Sequence, residues 1–251
     1  MSESDRITAI IGGSGLQTLP GLRVIERIAS DTPWGPTSAP VLRGMLAGVE
    51  VYFLARHGGP RAIPPHLVNY RANIAALAAL GVARILAFNT VGGVGASFAP
   101  GLLVIPHQII DYTRGRPSSY WDGPDQPPLH IDFTAPYDSA TRMRLIAAAE
   151  SAGIPVRPWG VYGATQGPRL ETAAEIHRRR RDGCDLVGMT GMPEAALARE
   201  KGIAYACLAL VVNPAAGTAP GAIGLQDIQG VVDAAIPGVV GLLTRTLAMA
   251  S

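Results

Sequence analysis

Apolar runs of strand length alternate with stretches of helical spacing along almost the whole chain. Ile7 to Ile11 is the first run and ends in Gly12-Gly13-Ser14-Gly15; Val49 to Ala55 is the next and ends in Arg56-His57-Gly58. Leu67, Tyr70, Ile74 and Leu77 then recur at helical spacing, beginning at about His66, until Gly81 stops them. Val82 to Phe88 predicts a strand leading into Asn89-Thr90-Val91-Gly92-Gly93, and Leu102 to Ile110 a strand interrupted by Pro106. A helix is predicted from about Ala140 to Ala152, with Gly153 as its stop. The second half repeats the alternation. Val156 to Gly163 reads as strand, Leu170 to Arg181 as helix, Cys184 to Val187 as a short strand and Pro193 to Lys201 as helix. Ala204 to Val212 is a fully apolar strand, and a closing helix, expected to be buried, runs from about Leu225 to Met249. Alternating units of this kind predict an α/β domain with a central, mostly parallel sheet flanked by helices. No tandem repeat or linker interrupts them, so residues 1–251 read as one domain.

Composition narrows the picture. Nearly half of the 251 residues are hydrophobic and 16% are charged, which supplies a large core and excludes global disorder. The net charge of +2 is too balanced for a nucleic-acid binder working by bulk charge. The four arginines Arg178 to Arg181 read as a solvated, dipole-favoured helix end. The polar opening Met-Ser-Glu-Ser-Asp-Arg lacks the pattern of a signal peptide. The apolar stretch 231–250 is broken by Asp233, Pro237 and Arg245, so no membrane span is expected. Cys184 and Cys207 sit in apolar runs without zinc-like spacing and read as buried thiols, in keeping with a reducing cytoplasm. The many Pro, Gly, Asp and Ser from Tyr112 to Tyr137 predict a long loop, of a length usually tied to function or to a neighbour.

In a parallel sheet, ligands bind beyond the carboxyl ends of the strands, and that is where the unusual residues lie. Gly12 to Gly15 is either a plain turn or an anion loop to which Ser14 adds a hydroxyl. Its spacing fits neither a dinucleotide fingerprint nor a Walker loop. Arg56-His57 is either a surface pair or a pair matched to an anion. Arg71 and Asn73 are expected to face solvent or cap neighbouring loops. Thr90 adds a hydroxyl on a glycine-rich turn. The three exits together suit a free phosphate-like anion, with no acidic cage for a metal. Glu171 either favours the start of a helix or accepts a ligand N–H. Met189 and Met192 are either core or an apolar wall beside a sugar. Thr190 reads as an N-cap and Glu194 as a first-turn carboxylate. Asn213 before Pro214 is either a turn former or a donor–acceptor for a heterocycle edge.

Taken together, these segments resemble the trimeric purine nucleoside phosphorylase and methylthioadenosine phosphorylase family over almost the whole chain. The matching pieces are Gly12 to Leu16, Arg56-His57-Gly58, Pro65 to Asn73, Asn89 to Gly93, Gly167 to Thr172 and, most specifically, Met189 to Glu200. The resemblance implies the nucleoside phosphorylase fold and attack of phosphate on C1′ of a purine nucleoside, with no cofactor. It implies Ser14, Arg56, His57, Thr90 and Thr190 as phosphate ligands. Val91 would line the sugar and Met189 would pack under it. Leu170 stands where the family usually stacks an aromatic on the base.

The base reader would be Glu171 with Asn213, the pair of the 6-oxopurine branch; the 6-aminopurine branch carries Ser and Asp there. A carboxylate accepts the N1–H of an oxopurine but repels N1 of adenine. The segment opening the last helix lacks the His that serves a 5′-hydroxyl, so Ile223, Leu225 and Ile228 would form a methylthio pocket. His130 resembles a residue lent by a neighbouring subunit, which implies a homotrimer. Asn213, His57 and Glu171 would then be the catalytic groups, and the partners small molecules. A non-catalytic nucleotide-binding module is the rival reading from a different class.

Overall fold

A computed structural model describes residues 7–29, 31–59, 62–125 and 127–249. The N-terminal segment read for a leader lies outside them. Among the described residues, thirteen strands and five helices follow one another. They are β1 (Thr8–Gly12), β2 (Arg23–Ile28), β3 (Asp31–Thr32), β4 (Gly35–Pro36), β5 (Val41–Leu46), β6 (Val49–Ala55), α1 (Tyr70–Ala79), β7 (Arg84–Gly93), β8 (Leu103–Val104) and β9 (Gln108–Asp111). Then come α2 (Ser139–Ala152), β10 (Val156–Arg157), β11 (Val161–Ala164), α3 (Ala173–Arg181), β12 (Leu186–Gly188), α4 (Gly191–Glu200), β13 (Ala204–Pro214) and α5 (Leu225–Ala248).

Eleven strands form one mixed sheet, whose main path runs β10-β8-β13-β7-β1-β6-β5-β2. The central strands β13, β7, β1 and β6 are mutually parallel, so their carboxyl ends share one edge. Side-chain alternation along them separates two cores. Ala9, Ile11, Tyr52, Leu54, Cys207 and Ala209 face the layer holding Ile74 and Leu77 of α1 and Leu197 of α4. Ile10, Val51, Phe53, Leu208 and Leu210 face the other layer, with Leu145 of α2 and Leu242 of α5. This is the predicted α/β architecture with a mostly parallel sheet.

Several elements differ from the pattern-based expectation. The antiparallel edge formed by β2 and β5 has no counterpart in it, because β2 exposes nearly every residue and shows no period of two. The Leu102 to Ile110 run divides at Pro106 into β8 and β9, and the Val156 to Gly163 run into β10 and β11. β7 continues through Asn89 to Gly93 rather than turning there. Pairing with β13 on one side and with β12 through Gly92 and Gly93 keeps it extended. α1 starts at Tyr70, with the Asn69 side chain accepting from Ala72 N–H. α3 starts after Glu171, where Thr172 and Glu175 form a capping box. α5 is not buried all round. By length and composition alone it is apolar enough to cross a membrane, but here it lays one face, with Val232, Val239, Leu242 and Leu243, on the sheet. Cys184 and Cys207 are buried and unbridged, as expected.

Candidate active site

The carboxyl edge of the parallel strands opens into a cavity of about 450 Å³. Ser14, Arg56, His57, Thr90, Val91, Leu170, Glu171, Met189, Thr190, Asn213 and Ile228 all line it, although they come from seven separate stretches of chain. A second cavity of about 430 Å³ adjoins it, sharing Leu170, Glu171, Val212 and Asn213 as a common wall. Ile223 lines that second space and not the first. Leu225 lines neither and is 80% exposed, because it starts α5 on the outward side. His130 also lines neither. It is exposed on the long loop, with its ring edge-on to Trp121 at 5.9 Å.

One end of the cavity gathers the hydroxyls of Ser14, Thr90 and Thr190 with the side chains of Arg56 and His57. The turn after β1 closes with Leu16 N–H donating to the Gly13 carbonyl, and leaves Ser14 exposed at the rim. Gly13 is required there, since a Cβ would stand 2.6 Å from Nη1 of Arg56 and 2.7 Å from the Phe88 carbonyl. Arg56 is not the open fork its position suggested. It is fully buried, and four of its five N–H groups are taken. Nε and Nη2 donate to Glu194 at 2.7 and 2.8 Å, Nη1 to the Phe88 carbonyl at 3.0 Å and Nη2 to Asn89 at 3.3 Å. Burial works to lower its pKa, but the Glu194 carboxylate outweighs burial and holds the pKa above the ordinary value.

Glu194 is therefore more than a favourable charge in the first turn of α4. It is completely buried and also accepts from the Tyr205 hydroxyl at 2.8 Å. The signal in the sequence is its setting in Met-Pro-Glu-Ala-Ala-Leu. A carboxylate in so apolar a helix requires a cation. Asn89 is the second residue whose role the sequence did not reveal. It donates from Nδ2 to the Thr190 hydroxyl at 2.7 Å. Thr190 does stand at the N-cap of α4, but its side chain makes no capping bond. Its oxygen accepts from Asn89, so its one proton is available to an oxyanion in the cavity.

His57 is fixed by a 2.9 Å contact between Nδ1 and the Ile63 carbonyl. A carbonyl only accepts, so Nδ1 carries the hydrogen and Nε2 of the neutral ring is an acceptor. Burial and then the Arg56 charge lower its pKa below 6.5, which keeps the ring neutral at pH 7. Stability tied to the neutral ring is therefore complete above pH 6.5 and is lost as the pH falls through the lowered value. His57→Ala is expected to shrink the loss of melting temperature between neutral and acidic buffer.

The other end pairs the Glu171 carboxylate with the Asn213 carboxamide beside Leu170. Glu171 precedes the N-cap of α3, so it does not serve the helix dipole from the first turn. The Thr165 hydroxyl donates to its carboxylate at 2.6 Å and leaves the other oxygen for a ligand. The segment carrying it is tied by Arg169 to Glu175, whose carboxyl that hydrogen bond helps push down to about 2. Asn213 lies at a bulge where β13 passes β7, and is buried. One Nδ2–H donates to the Pro214 carbonyl at 2.7 Å, leaving the second N–H and Oδ1 for a heterocycle. Leu170, 41% exposed, and half-buried Met189 add apolar walls.

Of the two expectations for Asn73, solvent exposure and capping a neighbouring loop, the structure shows the second: it is completely buried and braces the loop before β5 through Ser38 N–H and hydroxyl. Arg71 binds Ser119 and Asp122 of the long loop. Among the described residues, no group of three or more His, Cys, Asp or Glu is placed to hold a metal.

A mostly parallel sheet flanked by helices, with a cavity at the carboxyl edge of its central strands, is the architecture of the nucleoside phosphorylases. The solved methylthioadenosine phosphorylase from Schistosoma mansoni in complex with adenine superposes with a TM-score of 0.92 at 30% identity, covering 97% of this chain and 91% of that one. The chain belongs to the phosphorylase superfamily, whose family model matches residues 7–248. It is 52% identical to a Xanthomonas campestris pv. campestris protein named "Probable S-methyl-5'-thioinosine phosphorylase", over 98% of this chain and all of that one. It is 48% identical to the 6-oxopurine nucleoside phosphorylase of Pyrococcus furiosus, over 83% of this chain and 80% of that one.

Proposed function

We propose that the protein cleaves S-methyl-5′-thioinosine with inorganic phosphate, giving hypoxanthine and 5-methylthioribose 1-phosphate. The observation that carries this reading is the Glu171 carboxylate, fixed by Thr165 on the same wall as Asn213. Glu171 accepts N1–H of the oxopurine. Asn213 donates to O6 and accepts from a proton arriving on N7. Phosphate sits at the opposite end, against Ser14, Thr90, Thr190, His57 and the remaining N–H of Arg56. It always carries a proton at neutral pH for Nε2 of His57 to accept. The C1′–N9 bond breaks with its electron pair going to the purine, and a phosphate oxygen forms the new bond to C1′. The sugar passes through a cationic state that the phosphate anion stabilises. The purine leaves neutral once N7 has taken a proton from water, and the attacking phosphate gives up its own proton to water as the sugar phosphate forms. Val91 and Met189 bound the sugar, and Ile228 faces the 5′ end. The reaction uses no metal and no organic cofactor.

The test compares phosphate-dependent cleavage of methylthioinosine, methylthioadenosine and inosine. Methylthioinosine is expected to show the highest kcat/KM. Methylthioadenosine is expected to fall behind by about a hundredfold or more, because it leaves Glu171 without a donor. A preference for methylthioadenosine would overturn the base assignment, and turnover without phosphate would overturn the reaction class. His57→Ala is expected to raise the KM for phosphate about tenfold, one hydrogen bond to an ion, while the nucleoside KM stays near that of the parent. Assembly into a homotrimer, with His130 of one chain reaching the sugar end of the next, accords with the exposure of that residue away from its own cavity. Light scattering gives the mass, and His130→Ala is expected to weaken nucleoside rather than phosphate binding.

A further inference from the structure

We infer that Arg116, on the long loop that follows β9, is the positioning residue that keeps the phosphate end and the base end of the cavity in register. This rests on the reading that the cavity takes phosphate and a purine nucleoside. The Arg116 guanidinium touches neither substrate position; it grips the backbone behind both. Nη1 donates to the carbonyls of Met189 at 2.8 Å and Met192 at 2.6 Å. Nη2 donates to the carbonyls of Gln166 at 2.8 Å and Thr165 at 3.3 Å. Its carbon lies 5.4 Å from the centre of the Tyr70 ring, whose hydroxyl donates to the Pro65 carbonyl.

These oxygens lie where the sheet stops holding the two loops together. The β11–β12 ladder ends with Ala164 opposite Gly188, and one further bond joins Thr165 N–H to the Gly188 carbonyl. Beyond that, Gln166 and Met189 diverge, and Arg116 bridges them. One branch carries Thr165, which orients Glu171; the other carries Met189 and Thr190. A third wall is touched through Tyr70, because Pro65 lines the cavity beside Ile63, whose carbonyl orients His57. Four carbonyl oxygens converge on this point and would repel one another without a cation among them. A guanidinium supplies its donors in one rigid plane, which suits two facing loops; the tetrahedral ammonium of lysine does not.

Arg116→Ala and Arg116→Lys test this, with phosphate and nucleoside each varied in steady state and amide exchange followed over residues 165–166 and 189–192. Both variants are expected to lose about a hundredfold in kcat/KM, the scale of an ångström-sized misplacement. The KM values for both substrates should rise together, and exchange in the two loops should quicken. Added guanidinium should restore part of the activity of Arg116→Ala and none of that of Arg116→Lys. Arg114→Ala, whose side chain is exposed on the same loop, should leave the constants at parental values. If Arg116→Lys keeps both KM values within about twofold of the parent, the inference is overturned, whatever becomes of Arg116→Ala. Unchanged exchange in the two loops overturns it equally. A parent that turns over no purine nucleoside, with exchange still raised in the variants, overturns only the functional reading.

Discussion

Replacing Glu194 with alanine is expected to cost about 3–5 kcal/mol of stability, the range for breaking a buried ion pair. In a protein of this size that lowers the melting temperature by on the order of 10 °C. The cause is the partner left behind. Arg56 stays charged at any accessible pH, is wholly buried, and would keep only the Phe88 carbonyl and Asn89 as acceptors. Tyr205 would lose the acceptor for its hydroxyl at the same time. Damage should spread to the anion end, because Arg56 holds Asn89 and Asn89 holds the Thr190 hydroxyl. Glu194→Gln keeps the volume and one acceptor oxygen but not the charge, and is expected to lie between parent and alanine. The double replacement Arg56→Met with Glu194→Leu separates stability from function. An apolar pair of similar volume should recover most of the lost melting temperature. Phosphorolysis should remain abolished, since Asn89 loses its anchor and the cavity its buried cation. A melting temperature for Glu194→Ala within two or three degrees of the parent would show that the buried ion pair contributes little to stability.

That pair also marks what the sequence conceals. The order of strands and helices is readable because buried strands appear as unbroken apolar runs, and because Gly81 and Gly153 end their helices with positive φ. β2 escapes because an exposed edge strand needs no apolar alternation. The site residues at strand exits are readable for a topological reason. β1, β6, β7 and β13 run parallel, so Gly13, Arg56, Thr90 and Asn213 must arrive at one edge. What each of them does there is less readable. Arg56 and Glu194 are 138 residues apart, and Glu194 has a sufficient local explanation in the first turn of a helix. Arg116 is hidden more deeply. An arginine among Gly, Pro and Ser reads as a solvated loop residue, and its partners are backbone carbonyls that carry no side-chain signature.

Glu171 and Asn213, the pair proposed to read the base, yield the other large effect. Asn213→Asp alone is expected to lower kcat/KM for methylthioinosine by about 10²–10³, the scale of losing one donor aimed at developing charge. The new carboxylate still accepts from N7–H but faces O6 with a lone pair. Part of the loss has a local origin, because Asn213 Nδ2 also donates to the Pro214 carbonyl, and an aspartate sets oxygen against oxygen there. That component should appear as a lower melting temperature, so thermal denaturation separates it from specificity. Asn213→Asp should not by itself create a good aminopurine enzyme. Adenine would gain an acceptor for N6–H yet still present bare N1 to the Glu171 carboxylate, which Thr165 holds in place. Adding Glu171→Ser removes that repulsion and offers a hydroxyl to N1. The double variant is therefore expected to prefer methylthioadenosine, with an effect larger than the product of the single changes, because both residues read one ring. Ratios of kcat/KM for the two nucleosides across the parent, both single variants and the double variant form the complete cycle. Strict additivity, or a double variant that still favours methylthioinosine, would show that Glu171 and Asn213 do not read the base together.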